Sequence, residues 1–209
     1  MQSFRTVSVI PARMDSTRFP GKPMKEILGI PMIQHVFYRA QMINNSHEVC
    51  VATCDKVIYE CINDIGGLAI MTSNSHERAT DRTAEALIKL KEEYNKEFDI
   101  VAMIQGDEPM FKPDEVASGI AEIQNNPETN IVNLMNKSNS HEELSDPNNV
   151  KVVFDNKNDA LYFSREPIPS DWNKSNEISG YIQTGLIIFK VSYLNKYLKM
   201  QTTPLEEIE

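Results

Sequence analysis

The stretch VIPARMDSTRFPGKPM, residues 9–24, gathers Arg13, Arg18 and Lys22 among prolines and one glycine, directly after an apolar run. Two guanidinium groups, one ammonium group and the hydroxyls of Ser16 and Thr17 could together hold a polyphosphate. The pattern is not the G-x4-G-K-[ST] phosphate loop, because Gly21 is its only glycine and Lys22 is followed by Pro23. A second candidate lies at QGDEP, where Asp107 could hold Mg²⁺, an ion that takes a few oxygen ligands and shares the oxygens of a bound phosphate. Plainer readings stand beside both: a solvated basic loop, and a turn acid that caps the next segment. Glu108, before Pro109, suits the second of these.

Such chemistry needs strand ends to position it. TVSVI reads as a short buried strand that stops at Pro11. In PMIQHVFYRAQMI, Met32, Ile33, Val36, Phe37, Ala40 and Ile43 recur at helical spacing behind Pro31. EVCVATC is a second strand, and a helix from Val57 to Ile65 ends at Gly66 and Gly67. LAIMT is a third strand. A helix over 80–94, capped by Thr80 or Asp81, sets Ala84, Leu87, Ile88 and Lys91 on adjacent positions. Ile100–Ile104 is the most apolar strand and breaks abruptly into Gln105, Gly106, Asp107 and Glu108. This alternation, sustained to residue 125, predicts an α/β fold with a Rossmann-like, mostly parallel sheet whose ligands lie outside the strand carboxyl ends. In the second half NIVNLMN, NNVKVVFD, DALYFS and YIQTGLIIFK follow one another without comparable helices, which predicts added antiparallel hairpins. NKSNSHEELSDPNN and SDWNKSNEISG read as loops.

A chain of 209 residues can bury one sizeable core, so one domain over 1–209 is expected. It contains no run of about 18 apolar residues and no signal-peptide pattern, which predicts a cytoplasmic protein without stable membrane insertion. The net charge of −9 argues against nucleic acid as a partner, because phosphate backbones require a basic field. Any anion must be met locally, as the loop of residues 9–24 could do. Cys50, Cys54 and Cys61 lack a metal-ligand rhythm and read as free thiols. His35, His47, His76 and His141 are scattered, none beside a nucleophile, so no hydrolase triad assembles.

VIPARMDSTRFPGKPM, PMIQHVFYRA, VATCD, TDRTAEA, QGDEPM, DPNNVKVVFD, ALYFSREPIP and TPLEEIE occur in the order found in the 3-deoxy-manno-octulosonate (Kdo) cytidylyltransferases, and the chain resembles that family over nearly its whole length. The resemblance implies a nucleotide-diphospho-sugar transferase-like fold, usually dimeric, that makes CMP-Kdo and pyrophosphate from CTP and Kdo with Mg²⁺. It places Pro11, Ala12, Arg13, Thr17, Arg18, Lys22, Thr80, Asp81 and Arg82 on the nucleotide, with Arg13, Lys22 and Asp107 as the catalytic set. Asp107 matches the metal-binding aspartate. Gln105, Arg165, Gln183 and Glu206 match the sugar-acid side, Arg165 being suited to a carboxylate because a guanidinium pairs with it bidentately. Three differences from the family pattern stand out. Gln183-Thr184-Gly185 replaces His-x-Gly, Ala79-Thr80 replaces Gly-Thr, and the family continues beyond PLEEIE to a second metal-binding aspartate. Two alternatives therefore remain beside Kdo transfer: a cytidylyltransferase for a different or modified sugar acid, and a catalytically silent CTP-binding module.

Overall fold

The first apolar run forms β1 (Thr6–Ala12), with every residue buried. The computed structural model describes residues 4–15, 19–170 and 179–208. After β1 come a single 3-10 turn at Lys22–Met24 and a small hairpin of β2 (Glu26–Ile27) and β3 (Ile30–Pro31). They are followed by α1 (Met32–Ala40), β4 (Glu48–Thr53), α2 (Lys56–Asn63), β5 (Leu68–Met71), α3 (Ala79–Glu92), β6 (Ile100–Ile104) and α4 (Pro113–Asn125). The second half supplies β7 (Ile131–Ser138), α5 (His141–Ser145), β8 (Lys151–Phe154), β9 (Ala160–Ser164), β10 (Gly180–Lys190), α6 (Val191–Tyr197) and α7 (Pro204–Ile208).

Two compact units emerge. The first comprises Met1–Val132 and Gly185–Met200. Its strands run in the order β5-β4-β1-β6, all parallel, with the second half of β10 antiparallel to β6. Val9 lies beside Cys50 on one side and Met103 on the other, so β1 is central and its carboxyl end lies between those of β4 and β6. One face, carrying Val7, Val9, Cys50, Ala52, Val101 and Met103, packs on Ala86 and Leu90 of α3 and Leu194 of α6. Burial of both faces explains why these strands read as continuous apolar runs rather than alternating ones. The second unit comprises Asn133–Thr184 and Gln201–Glu209. There β8 pairs antiparallel with β9 and with the first half of β10, while Phe154 and Tyr181 meet edge to face at 4.9 Å. This is the parallel-plus-hairpin arrangement expected from the sequence.

Four details differ from the sequence reading. First, β1 does not stop at Pro11 but continues to Ala12 alongside β4. The carbonyl of Pro11 faces β6, where it accepts from Gly106 N–H at 3.3 Å, so its nitrogen points the same way and no ladder bond to β4 is lost. Second, α3 begins at Ala79, capped by neither Thr80 nor Asp81, which lie in its first turn. Third, Ala84 is buried and Leu87 packs on the core, but Ile88 is 52% exposed, and Thr83, Ala86 and Leu90 complete the inward face of α3. Fourth, HEELS within the expected loop forms α5, where Ser140 Oγ accepts from Glu143 N–H at 3.2 Å as a helix cap. Most of SDWNKSNEISG lies outside the described residues.

Candidate active site

The cationic loop leaves β1 and returns through Gly21. Gly21 has φ +73°, the left-handed conformation that glycine adopts without steric cost, and its N–H closes the loop on Met14 O at 2.9 Å. Pro23, buried within the 3-10 turn, then holds Lys22 at the loop's end. On the other side Met14 N–H donates to Asp55 Oδ2 at 2.8 Å. Both backbone polar atoms of Met14 are thus tied, and the base of the loop is fixed. Asp55 was not singled out by the sequence reading, although a lone acid after the apolar EVCVATC was the available signal.

Asp107 is placed by an equally constrained turn after β6. Gln105 N–H donates to Gly185 O at 3.1 Å, Gly106 N–H to Pro11 O, and Glu108 N–H to Gln105 O at 3.1 Å. A Cβ on Gly106 would lie 3.1 Å from both Ala12 Cβ and Pro11 O, so the glycine allows the β1 and β6 ends to approach closely. The result is the central observation of the structure: Lys22 Nζ lies 2.7 Å from Asp107 Oδ2. Two groups 85 residues apart in sequence meet outside the carboxyl ends of adjacent parallel strands. Glu108 feels both charges. Burial, then the charge of Asp107, pushes its carboxyl above the usual range, and Lys22 only partly opposes this. Among the described residues no group of three or more His, Cys, Asp or Glu is arranged to hold a metal alone. Asp107 remains close to half exposed, which suits an ion completing its shell with phosphate oxygens and water.

Arg13 is exposed just beyond β1, while Pro11 and Ala12 are buried within it. Thr17 and Arg18 lie outside the described residues. Thr80 and Asp81 are half-buried in the first turn of α3. Arg82 is only 3% exposed, and its guanidinium donates to Thr72 Oγ1 at 2.5 Å, Ser73 O at 3.3 Å and His76 O at 3.4 Å. It holds the segment that leads into α3. Glu85 anchors the same segment, accepting from Ser73 N–H at 2.8 Å and pairing with His76 Nε2 at 2.5 Å and Lys89 at 3.1 Å. Burial pushes the Glu85 carboxyl up, but these three partners outweigh it and hold it below the usual range.

In the same unit Gln105 is half-buried, and a Cβ on Gly185 would lie 2.5 Å from its Cγ. In the second unit Arg165 follows β9, with Nη1 donating to Pro147 O at 2.9 Å. Gln183 lies on β10 and its N–H donates to Val150 O at 2.8 Å. Glu206 is exposed on α7, its N–H on Thr203 Oγ1 at 3.2 Å.

Residues 7–209 match the profile of a protein family described as Cytidylyltransferase. The 3-deoxy-manno-octulosonate cytidylyltransferase of Thermodesulfovibrio yellowstonii is 42% identical over 98% of this chain and 82% of its own length. That of Geobacter metallireducens is 37% identical over the same shares. A solved structure of CMP:2-keto-3-deoxy-manno-octonic acid synthetase complexed with CTP superposes with a TM-score of 0.87 at 37% identity, covering 98% of this chain and 81% of the other.

Proposed function

Because this chain belongs to the 3-deoxy-manno-octulosonate cytidylyltransferase family, we propose that its first unit holds CTP through Arg13, Arg18 and Lys22 and that Arg165 receives the carboxylate of the sugar acid. The reaction is transfer of CMP from CTP to Kdo with release of pyrophosphate, for lipopolysaccharide or capsule synthesis. The anomeric hydroxyl of the sugar attacks the α-phosphorus and gives up its proton to solvent, the bond to the bridging oxygen breaks, and pyrophosphate leaves with the electron pair. No covalent enzyme intermediate is needed.

The observation that carries the reading is the Lys22–Asp107 contact at 2.7 Å, which brings an anion-binding group and a cation-binding group to one place. Of the three donors on Lys22 one is held by Asp107, which keeps the ammonium oriented before CTP arrives, and two are left for phosphate oxygens. Asp107 is also the residue that would hold Mg²⁺, which when bound neutralises charge on the phosphates. Pro11 and Ala12 set the exit angle of the loop, and Arg82 orders the segment that leads into the helical turn carrying Thr80 and Asp81. The family resemblance also assigns Gln105, Gln183 and Glu206 to the sugar acid. Gln183 can donate and accept but cannot become cationic as histidine can, so it discriminates among hydroxyl and amino substituents.

The continuous family match across both units supports treating them as parts of one cytidylyltransferase domain. A homodimer and a cytoplasmic location follow from the family resemblance. No helix among the described residues is long and apolar enough to cross a membrane. The test is pyrophosphate release with CTP against a panel of sugar acids, Mg²⁺ present. Turnover highest with Kdo supports the reading. A preference for an amino-substituted acid favours the modified-substrate alternative, and CTP binding without turnover of any acid favours a silent module. Equal use of UTP and CTP would refute the cytidylyl assignment.

A further inference from the structure

Lys151, the first residue of β8, has no solvent exposure at all. A buried ammonium is tolerated only when its donors are met, and here they are met by main-chain oxygens. Nζ donates to Asp146 O at 3.0 Å, to Asn149 O at 2.7 Å and, at shorter range, to Arg165 O. Two of these acceptors belong to the connection between α5 and β8, and the third belongs to the proposed carboxylate-binding arginine. The geometry follows from strand pairing. Lys151 lies opposite Ser164 in the β8–β9 ladder, so its side chain is beside the point where the chain leaves β9 for Arg165.

The arginine closes the arrangement from its other end. Its Nη1 donates to Pro147 O, in the same connection that Lys151 grips at Asp146 and Asn149. Arg165 is therefore held by its carbonyl on the buried ammonium and by its guanidinium on a loop that the same ammonium shapes. Local bonds stiffen that loop: Asp146 Oδ1 accepts from Asn148 N–H at 2.8 Å, and Asn149 Nδ2 donates to Glu143 O at 2.9 Å. Bidentate pairing of a guanidinium with a carboxylate requires a set plane and direction, so whatever fixes both ends of the arginine fixes its competence.

We infer that Lys151 is a positioning residue for recognition of the sugar acid, acting through Arg165 and not by touching substrate. The inference rests on the reading of Arg165 as the carboxylate partner. It is tested by a double-mutant cycle on the Mg²⁺-loaded enzyme with Lys151→Ala, Arg165→Ala and the combined variant, each measured for the Kdo KM, kcat and the dissociation constant of CTP. Lys151→Gln, which keeps two N–H donors in a smaller polar group, repeats the cycle with a milder perturbation.

Lys151→Ala is expected to raise the Kdo KM about tenfold or more, the loss of one well-oriented charge-assisted bond, while CTP binding stays within about twofold. In the Arg165→Ala background the same change should add less than about twofold, since no guanidinium remains to be positioned. Methylammonium should partly restore the Kdo KM of Lys151→Ala by occupying the three carbonyls, whereas tetramethylammonium, which has no N–H, should not. Fully additive losses, or parallel losses for Kdo and CTP, would overturn the inference and leave the role of Arg165 standing. An unchanged Kdo KM in Arg165→Ala would overturn both.

Discussion

Replacing Asp107 by Asn separates a strut of the fold from a part of the catalyst. The pair it forms with Lys22 is short, at 2.7 Å, but the side chains are 47% and 36% exposed. Ion pairs that wet typically contribute between 0.2 and about 1 kcal/mol, because water screens the attraction and both side chains lose freedom. Asn keeps the shape and one acceptor, so the loss in unfolding free energy should stay under about 1 kcal/mol. Catalysis depends on the carboxylate charge itself. Its removal takes away the proposed Mg²⁺ ligand and the partner that orients Lys22, and turnover should fall by about 10²-fold or more, the scale of losing one preorganised electrostatic contact to the reacting phosphate. Lys22→Ala removes a charge-assisted hydrogen bond worth about 1.5–3 kcal/mol, equivalent to roughly 10- to 150-fold in kcat/KM for CTP. The assay is pyrophosphate release as a function of Mg²⁺, with urea unfolding of the same preparations. If Asp107→Asn turns over like the wild type, the metal assignment fails. If it loses several kcal/mol of stability and activity falls only in proportion to unfolding, the pair is structural and the reasoning is refuted.

Glu85→Gln tests the anchor of the segment before α3. A carboxyl held below its usual range stabilises the folded state above its unfolded-state pKa and loses that contribution as pH falls through the lower, folded value, so the urea midpoints of wild type and variant should differ near pH 7 and converge as the pH falls below the ordinary carboxylate range. Cys50, whose thiol is pushed up to about 12 by burial and then by Glu48, against the opposing charge of Lys96, should resist iodoacetamide near pH 8 in the native protein, whereas the partly exposed Cys54 and Cys61 label first. Peptide mass spectrometry would read the order, and equal labelling rates would contradict the packing of β4. Gly185→Ala would place a Cβ 2.5 Å from Gln105 Cγ and 2.9 Å from its Cβ, so we expect a loss of about 1–3 kcal/mol in thermal unfolding and a raised KM for the sugar acid. An unchanged KM would exclude Gln105 from the sugar side.

Much of this protein is legible without coordinates. The apolar runs TVSVI, EVCVATC and Ile100–Ile104, interleaved with helix-period segments, announce a parallel sheet because a strand buried on both faces has few polar positions to spare. The candidate chemistry is equally local: cations packed into a proline- and glycine-bounded loop, and an acid where the most apolar strand breaks off. What sequence spacing did not show is which of these groups meet. Lys22 reaches Asp107 because β1 and β6 are neighbours in the sheet, an adjacency that depends on crossover order. The same limit explains the misplaced details. Pro11 reads as a terminator until the side of β1 its nitrogen faces is known. Ile88 shares the helical spacing of Ala84 and Leu87, yet it is 52% exposed, because the sheet selects Thr83, Ala84, Ala86 and Leu90 as the inward face of α3. Lys151 gives the sharpest contrast. Within NNVKVVFD nothing local marks the lysine as buried. Its burial is decided by three carbonyls, from residues 146, 149 and 165, that converge on one ammonium only after β8 and β9 have paired. Residue types and periodicity are properties of neighbours along the chain, whereas desolvation and its compensation belong to neighbours in space.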